Sequence, residues 1–174
     1  MKKNIILVGL MGAGKSTVGR YLAKRMKREF YDTDTVIVER TGVSIPMIFE
    51  IEGEQGFRDR EECVIKELSK EQGMILATGG GSVIRRINRQ RLAAAGTVVY
   101  LRGSADLLFS RISHDTNRPL MQTDNPLKTL RDLLNERDPM YMEVADLVVS
   151  TGRQKIAPFL KQVERKIIQI EDFS

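Results

Sequence analysis

Short, continuous apolar runs alternate along this chain with amphipathic stretches of helical period. That alternation is expected of an α/β fold whose parallel strands are buried on both faces. Residues 5–8 read as the first buried strand, followed by a Gly-rich turn. Val18, Leu22 and Met26 recur at i, i+4, i+8, which predicts a helix with one core-facing stripe. A short strand is expected over 30–34 and a small helix over 35–40 stopped by Gly42. Ser44 is placed to cap a further turn with Pro46 near its start. Phe57, Val64 and Leu68 share one face of a helix predicted over 54–71. Strands follow at 74–78 and 97–101, and Ser104 is the N-cap of a helix reaching Ile112. Polar residues and Pro119 then dominate 113–125, a loop long enough to suggest a functional segment. Leu127, Leu130 and Leu134 restore a helix, 146–149 is a last strand, and Ile156, Leu160, Val163, Ile167 and Ile170 mark a terminal amphipathic helix. No repeat or linker interrupts the pattern, so residues 1–174 are expected to form one domain.

Composition adds exclusions. Hydrophobic residues make up 41% and charged residues 29%, ordinary values for a soluble globular domain. The lone cysteine, Cys63, sits mid-helix beside the inward face, is read as a structural thiol, and cannot form an internal disulfide. The opening apolar run is too short for a signal peptide or membrane span, so a cytoplasmic protein without membrane contact is expected. The net charge of +5 is spread among acids with no aromatic-basic strip. An anionic small ligand therefore explains it better than nucleic acid.

Gly9 to Thr17, GLMGAGKST, satisfies G-x-x-x-x-G-K-[ST] between a predicted strand and a predicted helix. Chance alone gives such a pattern on the order of 0.6% of the time in a chain this long. Glycines let the backbone curl until N–H groups point inward at phosphate oxygens, and the helix after Gly14 adds its positive end. Lys15 is placed to reach the β- and γ-phosphates and the Ser16 hydroxyl to bind Mg²⁺. The strand at 74–78 ends in glycines rather than a metal-binding acid, and no guanine-reading N-K-x-D follows.

Acids occur instead at Asp32 and Asp34. On an extended strand both would face the same way, one supporting Mg²⁺ through water and the other accepting a substrate proton. The competing reading is that they begin a turn or cap the helix at Thr35. Arg58 with Glu61 offers a carboxylate clamp braced by an inward acid, or an exposed helical ion pair. Gly79, Gly80 and Gly81 can present bare backbone to a substrate oxygen, or form an ordinary turn. Arg85, Arg86, Arg89 and Arg91 read as a solvated basic face, and His114 as a solvated loop residue.

Taken in order, GLMGAGKST (9–17), FYDTD (30–34), the TG-S-I-IFE-EGE-GFRDRE pattern (41–61), ATGGGSV (77–83), RPL (118–120) and NERDPMY (135–141) resemble shikimate kinase. The resemblance implies a nucleoside-monophosphate-kinase-like P-loop fold, a five-stranded parallel sheet between helices with a mobile lid at about 113–125. It implies ATP and shikimate as partners and Mg²⁺ as cofactor; a monomer is expected. Carried onto matching positions, Gly12, Ala13, Gly14, Lys15, Ser16 and Thr17 would hold ATP, with Asp32 supporting the metal. Asp34 would be the base. Arg58 and Arg137 would clamp the substrate carboxylate, with Glu61 orienting Arg58 and Gly80 contacting the substrate. Arg118 would neutralise the transferring phosphate, and Arg111, Arg153 and Gln154 would contact adenine. A kinase for gluconate or a nucleoside monophosphate, and a nucleotide-binding module without catalysis, are the alternatives.

Overall fold

The computed structural model describes residues 3–115 and 118–172; of the expected lid, Thr116 and Asn117 lie outside the described residues. Five strands, β1 (Asn4–Val8), β2 (Phe30–Asp32), β3 (Ile75–Ala77), β4 (Gly96–Arg102) and β5 (Leu147–Ser150), form one sheet of order β2-β3-β1-β4-β5, with every pair parallel. Ile5, Ile6, Leu7 and Val8 of the central strand are wholly buried, as their unbroken apolar run requires.

The helices are α1 (Lys15–Met26), α2 (Thr33–Thr41), α3 (Ile45–Leu68), α4 (Arg86–Ala95), α5 (Ala105–Ile112), α6 (Pro126–Val144) and α7 (Ile156–Asp172), with a 3-10 turn at Pro119–Met121. The crossover through α1 runs from β1 outward to β2, whereas those through α4 and α6 run the opposite way across the sheet. Parallel crossovers are right-handed, so this reversal puts α1 on one face and α4, α5 and α6 on the other. α7 returns to pack on α1. The reversal at β1 opens a crevice beyond the carboxyl ends of the strands. No helix of the described residues is long and apolar enough to cross a membrane.

Several expectations are corrected. The second strand stops at Asp32, whose Oδ1 accepts from the N–H groups of Asp34 and Thr35 and so caps α2. Asp34 is therefore in the first turn of a helix, not on a strand. The further turn expected after Ser44 is present, capped by Ser44 and running from Ile45, and it meets the helix expected from 54 at Gly53, whose φ of 70° breaks the helical path. The segment 86–95 is helix α4, and Arg85, Arg89 and Arg91 of the expected solvated basic face are paired, while Arg86 is exposed. Arg85 bonds Asp59 and Glu62, Arg89 bonds Glu143, and Arg91 bonds Glu62. Cys63 is exposed rather than packed beside the core.

Candidate active site

The turn after β1 is held by close backbone approaches that exclude side chains. A Cβ on Gly9 would lie 2.7 Å from the Leu101 carbonyl oxygen, and one on Gly12 2.8 Å from that of Leu108. Gly14 has open space around it but a φ of 93°, so conformation alone demands glycine there. The first N–H groups of α1 have no intrahelical acceptor and open into a cavity of about 340 Å³ lined by Gly12, Gly14, Lys15, Ser16 and Thr17. The Lys15 Nζ donates to the Gly9 and Leu10 carbonyls at 2.7 and 3.0 Å. Burial lowers its pKa from 10.5 to about 8, against the pull of Asp34.

Asp32 and Asp34 both line this cavity. The Ser16 hydroxyl donates to the free Asp32 oxygen, Oδ2, at 2.6 Å. Asp32 thus takes the capping role that the sequence offered as the competing reading, while its other oxygen accepts from the Ser16 hydroxyl. Ser16 and Asp32 supply hard oxygen donors, the kind that Mg²⁺ takes alongside water and phosphate oxygens. Among the described residues no cluster of three or more His, Cys, Asp or Glu side chains could cage a metal. A cation shared with phosphate fits this donor set better than an all-protein site.

Asp34 stands where the phosphate cavity meets a second, smaller one of about 70 Å³. Its Oδ1 is buried without a hydrogen-bond partner. Burial raises its pKa from 3.8 to about 6, Glu61 and Asp32 add to the rise, and Lys15 and Arg118 oppose it.

The small cavity has an apolar side made by Met11, Ile45, Phe49, Phe57, Pro119 and Leu120, and a polar side made by Arg58, Glu61, Arg137 and the three glycines. The Phe49 and Phe57 rings pack at 5.0 Å, and the Arg58 guanidinium lies 5.2 Å from the Phe57 centroid. Arg58 and Glu61 are buried, not exposed, with Arg58 Nη1 donating to Glu61 Oε2 at 2.9 Å and Nη2 to Glu54 at 3.2 Å. The other Glu61 oxygen accepts from the Ser82 hydroxyl at 2.9 Å. Both Arg58 and Arg137 retain a buried Nε without a partner. A Cβ on Gly81 would fall 2.3 Å from the Arg58 guanidinium, and one on Gly79 2.8 Å from Asp34 Oδ1 and Glu61 Oε1. Bare backbone is therefore what lets the acids and the guanidinium close in.

Arg118 lines both cavities and donates from Nε to Asp115 at 3.0 Å. Arg111 ties Gly12 to Thr151 and Gly152 at 3.0, 3.1 and 2.9 Å, forming one wall of a third cavity of about 300 Å³ beside Ala13, Thr17, Gln154 and Phe159. Gln154 is thus brought to that cavity, whereas Arg153 is exposed and does not line it. His114 is exposed, as expected.

Sequence reasoning assigned no role to the apolar wall or to Tyr141. Phe57 read only as part of a helix's apolar face, and Phe49 and Leu120 entered only as letters of longer motifs, because the cavity they enclose is assembled from distant segments. Tyr141 is wholly buried, and its hydroxyl donates to the Gly80 carbonyl. A tyrosine one helical turn after Arg137, on the same buried face of α6, was the available signal.

The shikimate kinase family model matches residues 11–170. Shikimate kinase of Thiobacillus denitrificans is 55% identical over 166 residues, covering 95% of this chain and 91% of that one. That of Vibrio vulnificus is 53% identical, covering 95% and 96%. Among solved structures, shikimate kinase from Acinetobacter baumannii in complex with shikimate superposes with a TM-score of 0.91 at 47% identity, covering 98% of this chain and 93% of that one. A gluconokinase from Sinorhizobium meliloti, at 18% identity and a TM-score of 0.63 over 98% and 94% of the two chains, shares the fold alone. With the match running through the phosphate turn, the glycine triplet and both buried arginines, this chain belongs to the shikimate kinase family.

Proposed function

We propose that the joined cavities hold ATP and shikimate, and that each sequence-derived site residue acts where the geometry puts it. The reaction is transfer of the γ-phosphoryl group of ATP to the 3-hydroxyl of shikimate, giving shikimate 3-phosphate and ADP in the shikimate pathway of aromatic amino-acid biosynthesis. One observation carries the assignment of roles. The unpartnered Asp34 oxygen lies between a phosphate cradle containing Lys15 and a small cavity walled by two buried arginines with free Nε–H groups.

The carboxylate of a small cyclic acid would accept from Arg58 and Arg137, with Glu61 holding Arg58 in place and the apolar wall receiving the ring. That fixes one hydroxyl beside Asp34. As this oxygen bonds to the γ-phosphorus, the bond from phosphorus to the β-bridging oxygen breaks and the hydroxyl proton passes to Asp34. Lys15 and Arg118 spread over the charge on the transferring group. Gly12 to Thr17 would hold the phosphates, with Arg111 and Gln154 beside the base; Arg153 could join them only by moving. Mg²⁺, held by Ser16 and supported by Asp32, would supply neutralisation of phosphate charge. Closure of the segment at about 113–125 over the site would exclude water. We place all of this in one domain, acting as a cytoplasmic monomer that engages neither nucleic acid nor membrane.

A coupled ADP-release assay with shikimate, gluconate and nucleoside monophosphates in parallel tests this reading. Turnover is expected with shikimate alone. Comparable rates with either rival substrate, or nucleotide binding with no product, would overturn it.

A further inference from the structure

The three consecutive glycines pose a conformational problem. With no Cβ on any of them, the peptide planes between them can turn at little steric cost. Yet this turn must face a substrate with fixed donors. Three of its groups are anchored: the Gly79 N–H donates to Thr33 Oγ1 at the start of α2 at 2.9 Å, and the Gly79 and Gly81 carbonyls accept from the Ser82 and Ile84 N–H groups, each at 3.1 Å. No hydrogen bond of the described residues engages the Gly80 or Gly81 N–H. The Gly80–Gly81 peptide is held instead from behind, by the Tyr141 hydroxyl on the Gly80 carbonyl.

Tyr141 is not part of the cavity wall, although Gly80, Gly81 and Arg137 are. The Gly80 carbonyl is thus turned to a hydroxyl that has no exposed surface. In a planar trans peptide the N–H points opposite to the carbonyl, so the Gly81 N–H is turned away from Tyr141. Tyr141 is itself firmly set. It sits one helical turn after Arg137 on α6, and its ring packs at 4.9 Å against that of Tyr100 on β4. The Tyr100 hydroxyl donates to Asp138 at 2.7 Å, and Arg102 grips the same carboxylate at 2.9 and 2.7 Å. Burial keeps the Tyr141 phenol protonated, well above its ordinary pKa, so it remains a donor.

We propose that Tyr141 is a positioning residue for substrate binding: its hydroxyl fixes the Gly80–Gly81 peptide so that the Gly81 N–H serves as a preset donor to the acid substrate. This rests on the placement of shikimate in the small cavity. The test is Tyr141→Phe, which keeps the ring and removes the donor, with Tyr21→Phe as control; Tyr21 loses a hydroxyl bonded at 2.8 Å to Glu164, outside both cavities. Tyr141→Phe is expected to raise KM for shikimate by about three- to tenfold, the worth of one such hydrogen bond. KM for ATP and kcat at saturating shikimate should stay within about twofold, and Tyr21→Phe should leave all three unchanged. In ¹⁵N spectra, the Gly81 amide should shift on adding shikimate to the wild type and shift less in Tyr141→Phe. An unchanged KM and Gly81 response, or equal losses for both substrates, would overturn the proposal. Those results leave ADP release with shikimate intact, so they are distinct from failure of the substrate assignment itself, which the wild type alone would reveal.

Discussion

Replacing Asp34 by Asn should make the unliganded protein more stable while nearly abolishing its activity. Asp34 has a pKa of about 6 against 3.8 for an ordinary aspartate, chiefly because it is desolvated and then because Glu61 and Asp32 are near. A carboxyl group whose folded pKa is raised binds protons more tightly in the native state. Its ionisation then costs nothing below about pH 4, costs progressively more from about 4 to 6, and costs the full amount above 6. The distance from 3.8 to about 6 corresponds to about 3 kcal/mol. Asp34 is only half-buried at the edge of an open crevice, so solvent screening reduces this to about 1–2 kcal/mol. Asparagine has the same shape and no charge. Urea unfolding at pH 5 and pH 8 should show the variant gaining about 1–2 kcal/mol over wild type at pH 8 and markedly less at pH 5. ADP release should fall by about 10²–10⁴-fold, the range for loss of a general base. In wild type, kcat/KM should decline as pH drops through about 6, as the base becomes protonated. A variant less stable than wild type at pH 8, or a gain independent of pH, would refute the reasoning.

Lys15→Ala should abolish ADP release without lowering the thermal midpoint, because the lysine is held buried with a pKa of about 8 and its removal relieves that cost; retained turnover would remove it from the mechanism. Arg58→Ala should raise KM for shikimate far more than for ATP. It should also destabilise by about 3–5 kcal/mol, since it leaves the fully buried Glu61 without its cation. Adding Glu61→Gln should recover stability but not affinity, and recovery of both would sink the clamp. Gly79→Ala should cost about 1–3 kcal/mol of stability and most of kcat/KM, because its Cβ would press at 2.8 Å on both Asp34 and Glu61. Unfolding curves and ADP release measured side by side check it.

What the sequence made legible was whatever depends on neighbours along the chain. The phosphate turn is such a case: strand, glycines, lysine and hydroxyl are contiguous, and each has a local steric or electrostatic reason. The buried strands and the Ser44 and Ser104 caps were readable for the same reason. The limits of 30–34 were not, because a period of two over five residues cannot be distinguished from a strand whose last residue caps the next helix. α4 escaped because its inward face is mainly Leu92 and the polar Asn88, too thin an apolar stripe to register. Its arginines read as solvated because their partners, Asp59, Glu62 and Glu143, come from α3 and α6. The burial of Arg58 with Glu61 was likewise undecidable locally, since Pro119 and Leu120, which line the same cavity, arrive some sixty residues later. Contacts of that range are set by topology, not by period.

The distribution of unsatisfied charge explains why this crevice suits two anions. On one side of Asp34 lies a lysine whose burial has weakened its hold on its own proton, together with the unpaired N–H groups that open α1. On the other lie two guanidinium groups, each with a desolvated Nε lacking any acceptor. An unpaired buried donor is costly, and only an incoming acceptor removes the cost. Neutral ligands would bring acceptors but no charge to balance the lysine or the guanidinium pair, whereas a triphosphate and a carboxylate each bring both. Among the described residues, the acid at the boundary with an unpartnered oxygen is Asp34, and between two bound anions its carboxylate becomes harder to keep charged. That raises its affinity for the very proton the attacking hydroxyl must lose. On the proposed assignment of Asp34 as base, selection for anionic substrates and tuning of that base are consequences of one charge layout.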